Sequence, residues 1–194
     1  RVDILGFPFS VSDQFQKRNT NANREEALDR VKEMQDLCLK HEKQLLVYLS
    51  MAFGNPYDEL WDAEIVAEWT GKMANLGIQL LMPSDTIGLS NTESITAVYS
   101  LLTKEFPSLQ IGAHLHTTPD TWAEKMDAAW DNGCRRFDSA IKGFGGCPMA
   151  KDDLTGNMAT ENVLAFLEGK KTETGIDPDA WVSSMQLAEK TFPL

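Results

Sequence analysis

Two histidines one residue apart, His114 and His116, follow a short apolar run at residues 111–115 that is bounded by Pro107 and Pro119. The run predicts a β-strand. Side chains two residues apart on a strand project from the same face, so the two imidazoles are expected side by side at its C-terminal end. Neutral imidazoles in that arrangement can bind a divalent metal ion. A satisfied polar pair that binds no metal gives the same pattern.

Two further residues follow some forty positions later. Cys147 lies in a glycine-rich loop, and Asn157 is predicted to open a helix. If the strands are parallel neighbours, both side chains can reach the pocket of the histidines. Each also has a simpler interpretation, since a lone cysteine is often a small buried apolar residue and an asparagine is a common helix N-cap.

The rest of the chain alternates strands with helices. Such alternation predicts a parallel sheet covered by helices, and every polar cluster follows a strand, where parallel α/β folds place their active sites. The polar segment 12–23 is predicted as a loop. The predicted strands are 2–9, 45–49, 78–82, 111–115 and 135–139, and the predicted helices are 24–40, 65–76, 95–102, 122–129, 159–170 and 178–190.

Five strand–helix units in 194 residues leave two interpretations of the fold. A complete (β/α)₈ barrel has eight units and typically about 250 residues. The chain is therefore either a smaller open α/β fold or the C-terminal portion of a barrel, and its start directly on a strand favours the second. No phosphate-binding glycine motif supports a nucleotide-binding fold.

Composition excludes several classes of function. The chain has 29 acidic and 18 basic residues and a net charge of −11, which argues against nucleic acid or an anionic membrane as partner. No apolar run reaches the roughly 20 residues that span a bilayer. The three cysteines have no framework spacing, which favours a reducing compartment: the cytoplasm, or the mitochondrial matrix in a eukaryote.

The cysteine loop carries a family resemblance. Its Gly-Gly-Cys-Pro and Gly-Asn-Met-Ala-Thr-Glu elements, within residues 145–161, resemble the signature loop of hydroxymethylglutaryl-CoA lyases. The segments S-D-Q-F-Q-K-R-N-T-N, Y-L-S-M-A-F-G-N-P-Y, S-D-T-I-G and H-L-H occur in that family's order. H-x-H alone is shared by the wider superfamily of metal-dependent aldolases and lyases. The resemblance implies an α/β (β/α)₈ TIM barrel of which strands four to eight are present, so residues 1–194 form one N-terminally incomplete catalytic domain.

The resemblance also implies a reaction and a set of residue roles. The reaction is the metal-dependent cleavage of 3-hydroxy-3-methylglutaryl-CoA, an acyl-CoA thioester, to acetyl-CoA and acetoacetate. The implied roles are His114, His116 and Asn157 as ligands of Mg²⁺ or Mn²⁺, Glu161 behind those ligands, Cys147 as the reactive thiol, Asp85 and His114 as catalytic proton acceptors, and Tyr48, Ser50 and Thr86 on the substrate side.

One feature of the family is missing from these residues. No segment matches the Arg-Asp pair of the family's first strand, in which Asp binds the metal and Arg neutralises the enolate. We therefore expect this polypeptide alone to be inactive and to bind metal weakly, because three neutral ligands hold a hard cation poorly. The open strand edges predict a homo-oligomer, such as a dimer. The alternatives are a related aldolase or condensing enzyme of the superfamily, and a non-catalytic binding or oligomerisation module.

Overall fold

The computed structural model of the chain describes residues 2–146 and 155–192. No helix in this part of the chain has the length and apolarity that a membrane crossing requires. The elements in chain order are β1 (Ile4–Ser10), α1 (Asp13–Thr20), α2 (Arg24–Lys40), β2 (Gln44–Ser50), α3 (Ala63–Asn75), β3 (Leu80–Pro83), α4 (Thr92–Glu105), β4 (Gln110–Ile111), β5 (His116–Thr117), α5 (Trp122–Asp131), a 3₁₀ turn (Ile141–Gly143), β6 (Gly156–Asn157), α6 (Thr160–Gly169) and α7 (Pro178–Thr191).

The main sheet is parallel and has the strand order β1-β2-β3-β4. Single parallel bridges extend the pairing past β4, from Ser84 to His114, from Ala113 to Phe137 and from Ala140 to Ala159. The short strands β5 and β6 pair antiparallel at the end of this series. The predicted parallel α/β sheet is thus confirmed, and within residues 2–146 and 155–192 the sheet does not close into a barrel.

The last two predicted strands are wrong in their extent. The fourth was expected over 111–115, but β4 ends at Ile111, Ala113 and His114 make only single bridges, and continuous pairing resumes at β5. At Gly112 the chain passes so close to β3 that a Cβ atom would stand 2.2 Å from the Met82 sulfur. The fifth was expected over 135–139, but only Phe137 makes a bridge there. Isolated β-bridges involve one residue on each side, so they leave little periodic pattern in a sequence.

The segment predicted as a polar loop contains helix α1. Ser12 caps its N-terminus by accepting a hydrogen bond from the Phe15 amide, and Asn21 ends it in the left-handed conformation with φ of 51°. The Gln16 side chain is buried and accepts from the Ser10 amide at 2.6 Å. A helix held by caps and one buried amide shows no apolar stripe, which is why its sequence resembles a loop.

The sheet buries side chains on both faces, as parallel sheets do. On β2, Leu45, Val47 and Leu49 pack into the main core between sheet and helices. Leu46 joins a second cluster with Leu80 and Met82 on the opposite face, against which Tyr48 packs. Because alternate residues of a strand face opposite ways, Tyr48 lies on the same face as Leu46, opposite the main core, and near the C-terminal end of β2.

Candidate active site

A cavity of about 260 Å³ opens at the C-terminal ends of the strands. Five of the residues expected at the site line it together: Tyr48, Ser50, Thr86, His114 and His116. They come from the end of β2, from the loop after β3, and from the segment that leads from β4 into the first residue of β5. Parallel strands bring their C-terminal ends to one edge, so residues far apart in sequence meet there.

The two imidazoles are neighbours. Their ring centroids lie 5.4 Å apart with an interplanar angle of 85°. His116 Nδ1 donates to the Asp85 backbone carbonyl at 2.6 Å; a carbonyl only accepts, so the proton sits on Nδ1 and Nε2 carries the lone pair. Burial lowers the pKa of His116, an effect that the nearby His114 and Lys125 add to and that Asp85 opposes. His116 is therefore a neutral imidazole with an available nitrogen.

His114 lies against a tyrosine–aspartate pair. The Tyr48 hydroxyl donates to Asp138 Oδ2 at 2.7 Å, and His114 Nδ1 lies 3.4 Å from the same oxygen. That contact lacks hydrogen-bond geometry, so Nδ1 is buried without a hydrogen-bond partner among the described residues. The Tyr48 and His114 rings meet edge-on, with centroids 5.5 Å apart.

The charges of this group follow from burial and contact. Burial works to raise the pKa of Asp138, but His114, the Tyr48 hydrogen bond and the charge of Arg136 outweigh it and lower the pKa below its ordinary value. Burial, reinforced by Asp138, raises the pKa of Tyr48 to about 12. Tyr48 is thus a neutral donor to an ionised carboxylate at neutral pH.

Thr86 closes the cavity beside β2. Its Oγ1 accepts from the Met51 amide at 2.7 Å, where the Met51 backbone is left-handed with φ of 60°. This bond fixes the turn that follows Ser50. The turn after Ser50 is therefore held in place by the side chain of another residue expected on the substrate side, Thr86.

Asn157 does not open a helix, so that prediction is wrong. It lies on β6 directly opposite His116, and α6 begins at Thr160. Residues directly opposite in an antiparallel pair have neighbouring side chains. The Asn157 Nδ2 atom donates to the Phe144 carbonyl at 2.8 Å, which makes Oδ1 the atom that a cation would contact. Asn157 itself lines a different cavity of about 200 Å³, with Thr117 among its neighbours.

Glu161 supports the glycine-rich loop. Its two carboxylate oxygens accept from the Lys142 backbone amide at 3.1 and 2.9 Å. Lys142 has a left-handed backbone with φ of 56°, an uncommon conformation for a residue with a side chain. The carboxylate thus stabilises the turn that begins the loop. Glu161 itself lies on α6 and contacts that turn, and Cys147 lies outside the described residues.

Asp85 is placed unfavourably for the proton-accepting role expected of it. Its side chain is only 1% exposed and its carboxylate contacts Lys125 Nζ at 2.9 Å. The same carboxylate accepts from the Ser90 amide at 3.0 Å and from the Ser90 hydroxyl at 2.5 Å. With its oxygens already bonded, Asp85 organises the loop and does not line the cavity.

The residues present fit a divalent metal as a partial ligand set. His116 offers Nε2 and has its other nitrogen held by a carbonyl, as metal-binding histidines usually do. The buried Nδ1 of His114 lacks a hydrogen-bond partner in the described part of the chain, and Asn157 lies opposite His116. Among the described residues no group of three or more His, Cys, Asp and Glu side chains is placed to hold a metal. Two imidazoles and one amide oxygen are the available donors.

Sequence reasoning missed two residues of this region. Asp138 lies near the C-terminal end of the predicted strand 135–139, and that position was the signal that could have found it. Lys125 lies next to Met126 on an amphipathic helix and resembles an ordinary surface lysine, yet its side chain is only 4% exposed. No feature of the sequence distinguishes it from a solvated lysine.

Fold and site together define a class of protein. A parallel α/β sheet carries paired imidazoles, hydroxyls and an amide at the C-terminal ends of its strands, which is the layout of α/β enzymes of the barrel type. The HMGL-like family model matches residues 2–187, and the chain belongs to this family. The resemblance seen in the sequence is thereby confirmed.

Individual relatives agree. The chain is 30% identical over 177 residues to the 3-hydroxy-3-isohexenylglutaryl-CoA/hydroxy-methylglutaryl-CoA lyase of Pseudomonas aeruginosa, covering 91% of this chain and 59% of that protein. It is 31% identical over 181 residues to the hydroxymethylglutaryl-CoA lyase YngG of Bacillus subtilis, covering 93% and 60%. The crystal structure of hydroxymethylglutaryl-CoA lyase from Pseudomonas aeruginosa superposes with a TM-score of 0.90 at 28% identity, covering 100% of this chain and 64% of that one. The chain thus spans about 60% of the length of these two curated relatives.

Proposed function

We propose that this chain provides the metal-binding part of a carbon–carbon lyase that cleaves 3-hydroxy-3-methylglutaryl-CoA to acetyl-CoA and acetoacetate. The observation that carries the proposal is the convergence of Tyr48, Ser50, Thr86, His114 and His116 on one cavity, in a chain of the HMGL-like family. Names of the relatives support the substrate class, a glutaryl-CoA thioester with a hydroxyl and an alkyl group on C3.

A divalent cation, Mg²⁺ or Mn²⁺, would be held by His114, His116 and Asn157. When bound, such a cation makes a coordinated hydroxyl more acidic and polarises a neighbouring carboxylate. Breaking the bond between C2 and C3 needs that acidity, because the tertiary hydroxyl must lose its proton as the bond breaks. Neutral imidazoles suit Mn²⁺ better than they suit the harder Mg²⁺.

The chain's own residues supply the remaining steps. Asp138 holds the Tyr48 hydroxyl as a donor at 2.7 Å, so the tyrosine oxygen keeps a fixed position on the cavity wall. The hydroxyls of Ser50 and Thr86 line the same wall and can hydrogen-bond a polar substrate group. We assign proton acceptance to His114 in preference to Asp85, whose carboxylate is ion-paired away from the cavity. We retain Cys147 as the proposed donor of a proton to the departing enolate carbon.

The fold of the whole enzyme is part of the proposal. We infer that residues 1–194 form one catalytic domain built from strands four to eight of a (β/α)₈ barrel. The inference is supported by the superposition on the Pseudomonas aeruginosa lyase, which has a TM-score of 0.90 and covers 64% of that enzyme's chain. On this basis the Arg-Asp pair expected on the first strand lies outside these residues, and we expect the chain alone to be inactive.

Self-association belongs to the same proposal. The strand β1 is at the edge of the sheet, and Ile4 and Leu5 on it are 37% and 44% exposed. Edge strands with apolar side chains favour pairing with another chain. We propose a homodimer, which sedimentation velocity tests directly: a single monomeric species at micromolar concentration contradicts it.

Metal binding and turnover test the function separately. We expect saturable Mn²⁺ binding by electron paramagnetic resonance, reduced by at least about tenfold in His116→Ala because one of three ligands is lost. His41→Ala is the matched control, since His41 lies at the end of α2, away from the cavity, and should bind Mn²⁺ unchanged. Equal binding by all three proteins, or no binding, contradicts the proposed metal site.

The second measurement is acetoacetate release. The chain is mixed with Mn²⁺ and 3-hydroxy-3-methylglutaryl-CoA, and a parallel reaction contains acetyl-CoA and a 2-oxo acid. We expect no turnover in either reaction. Robust acetoacetate release overturns the expected inactivity of the isolated chain, and condensation of acetyl-CoA with the 2-oxo acid overturns the lyase assignment.

A further inference from the structure

A buried lysine on α5 connects three separate segments beside the cavity. Lys125 Nζ lies 2.9 Å from Asp85 Oδ2 and also donates to the His116 backbone carbonyl at 2.9 Å. The side chains of Lys125 and Asp85 are 4% and 1% exposed. Lysine is almost never fully buried unless it is paired. The ammonium thus reaches the strand ends from a helix that packs behind them.

Asp85 uses every polar atom it has in the same network. Its carboxylate accepts from Lys125 and from the amide and hydroxyl of Ser90. Its amide donates to the His114 carbonyl at 2.9 Å, and its carbonyl accepts from His116 Nδ1 at 2.6 Å. Asp85 thereby connects the loop after β3 to both histidines, and the Lys125 ammonium pairs with the Asp85 carboxylate in this network.

This network acts on His116 from two directions. Lys125 holds the backbone carbonyl of the histidine, while Asp85 holds its ring through Nδ1. A histidine with Nδ1–H bonded to a carbonyl is fixed in one tautomer and one ring orientation, with Nε2 directed away. A buried ion pair is often no better for stability than two apolar side chains of similar volume. Stability alone therefore does not account for a charged pair at this position.

We propose that Lys125 is a positioning residue for His116: through Asp85 and the His116 carbonyl it sets the ring orientation and the Nδ1–H tautomer that leave Nε2 free for the metal. The proposal rests on the function proposed above. It concerns a residue that touches neither the cavity nor a substrate. The role depends on two hydrogen bonds from one ammonium group, and an apolar side chain of the same length cannot make them.

Histidine NMR tests the proposal without any metal. The chain contains three histidines, so the ¹⁵N signals of His116 are assigned by single substitutions. In the unmodified protein we expect the Nδ1–H tautomer alone. In Lys125→Met, and in the double variant Lys125→Met/Asp85→Leu, we expect a mixture of the two tautomers. The double variant removes both charges and so keeps the test valid if the single variant does not fold.

Two further proteins separate positioning from general destabilisation. Met126→Ala truncates a fully buried neighbour on the same helix, and we expect it to keep the Nδ1–H tautomer despite lower stability. The double variant Lys125→Gln/Asp85→Asn retains donors and acceptors without charge, and we expect it to restore the tautomer. The proposal is overturned if His116 keeps the Nδ1–H tautomer in both Lys125→Met and Lys125→Met/Asp85→Leu. It is also overturned if Met126→Ala shows the same mixture of tautomers as those two variants.

Mn²⁺ titration of the same proteins gives the second readout. We expect the dissociation constant to rise about 10–100-fold in Lys125→Met/Asp85→Leu, the usual effect of losing a group that orients a metal ligand. Met126→Ala should bind Mn²⁺ as the unmodified protein does. If the unmodified protein binds no Mn²⁺, the proposed function fails. If His116 keeps the Nδ1–H tautomer in the variants that lack Lys125, the positioning role fails. The two failures are therefore distinguishable.

Discussion

The two halves of the candidate site are held in place by different means. On the histidine side, buried side chains hold the segments together. Ser90 and Lys125 each donate to the Asp85 carboxylate, and Lys125 also donates to the His116 carbonyl. On the side of the glycine-rich loop the backbone does it, with positive φ at Lys142 and at three glycines between residues 143 and 146. The Glu161 carboxylate and the Asn157 amide add side-chain hydrogen bonds to this second side, and the Lys142 ammonium pairs with Glu189 at 2.9 Å near the surface.

The difference matches what each side must do. Metal-binding imidazoles need fixed orientation, and buried charged hydrogen bonds fix orientation because breaking them leaves a group desolvated and unpaired. A loop that approaches other backbone closely needs glycine, because a Cβ at Gly143 would lie 2.8 Å from the Asn157 carbonyl oxygen. The first side should therefore be sensitive to loss of charge, and the second to added atoms.

Removing the Asp85 carboxylate should have the largest effect. In Asp85→Ala the Lys125 ammonium remains buried without its partner, which costs about 3–5 kcal/mol of unfolding free energy. Urea denaturation measures this. The matched control is Asp127→Ala, which breaks the exposed pair of Asp127 and Lys170, also 2.9 Å long, and should cost under about 1 kcal/mol. Equal costs for the two variants would mean that burial does not distinguish the histidine side.

Adding one methyl group to the glycine-rich loop should have the next largest effect. In Gly143→Ala, an alanine in a left-handed backbone conformation lowers the unfolding free energy by about 1–2 kcal/mol. A clash of its Cβ with the Asn157 carbonyl oxygen lowers it by about 1–3 kcal/mol more. Gly175→Ala is the control, since Gly175 has a similar φ of 69° and no atom within 4 Å of an added Cβ. Denaturation of both variants isolates the clash. A Gly143 variant no less stable than the Gly175 variant would contradict the close approach.

The smallest effect concerns how well the core beneath the histidine side excludes water. Burial raises the pKa of Cys134 from an ordinary value of 9.0 to about 12. Above pH 9 the unfolded chain releases this proton and the folded chain does not, so stability falls as pH rises, by about 2 kcal/mol between pH 8.5 and 10.5. Cys134→Ala should lack this contribution. Unfolding free energies of both proteins at pH 8.5 to 10.5 measure it, and parallel pH profiles would contradict the burial.

Much of the fold was predictable from residue order. Helix α2 was expected over 24–40 and is found there, because a capping box at Asn23 and an apolar stripe through Val31 agree. The first three strands were expected within a few residues of their positions. Helix α1 was missed because caps and one buried glutamine hold it, and these leave no periodic pattern. The late strands were overestimated because single bridges between distant residues are set by packing.

The candidate site shows the same division. Residue order was enough to find the family, through a loop motif and the order of its segments. The strand position of the histidines suggested them as ligands, and the family resemblance added the hydroxyls and the amide. The folded chain was needed to show that Asp85 faces Lys125 and not the cavity, that Asp138 accepts from Tyr48, and that Asn157 lies on a strand opposite His116. The physical reason is that burial and pairing are properties of neighbours in space. A lysine on a helix has the same letter whether water or a carboxylate surrounds it.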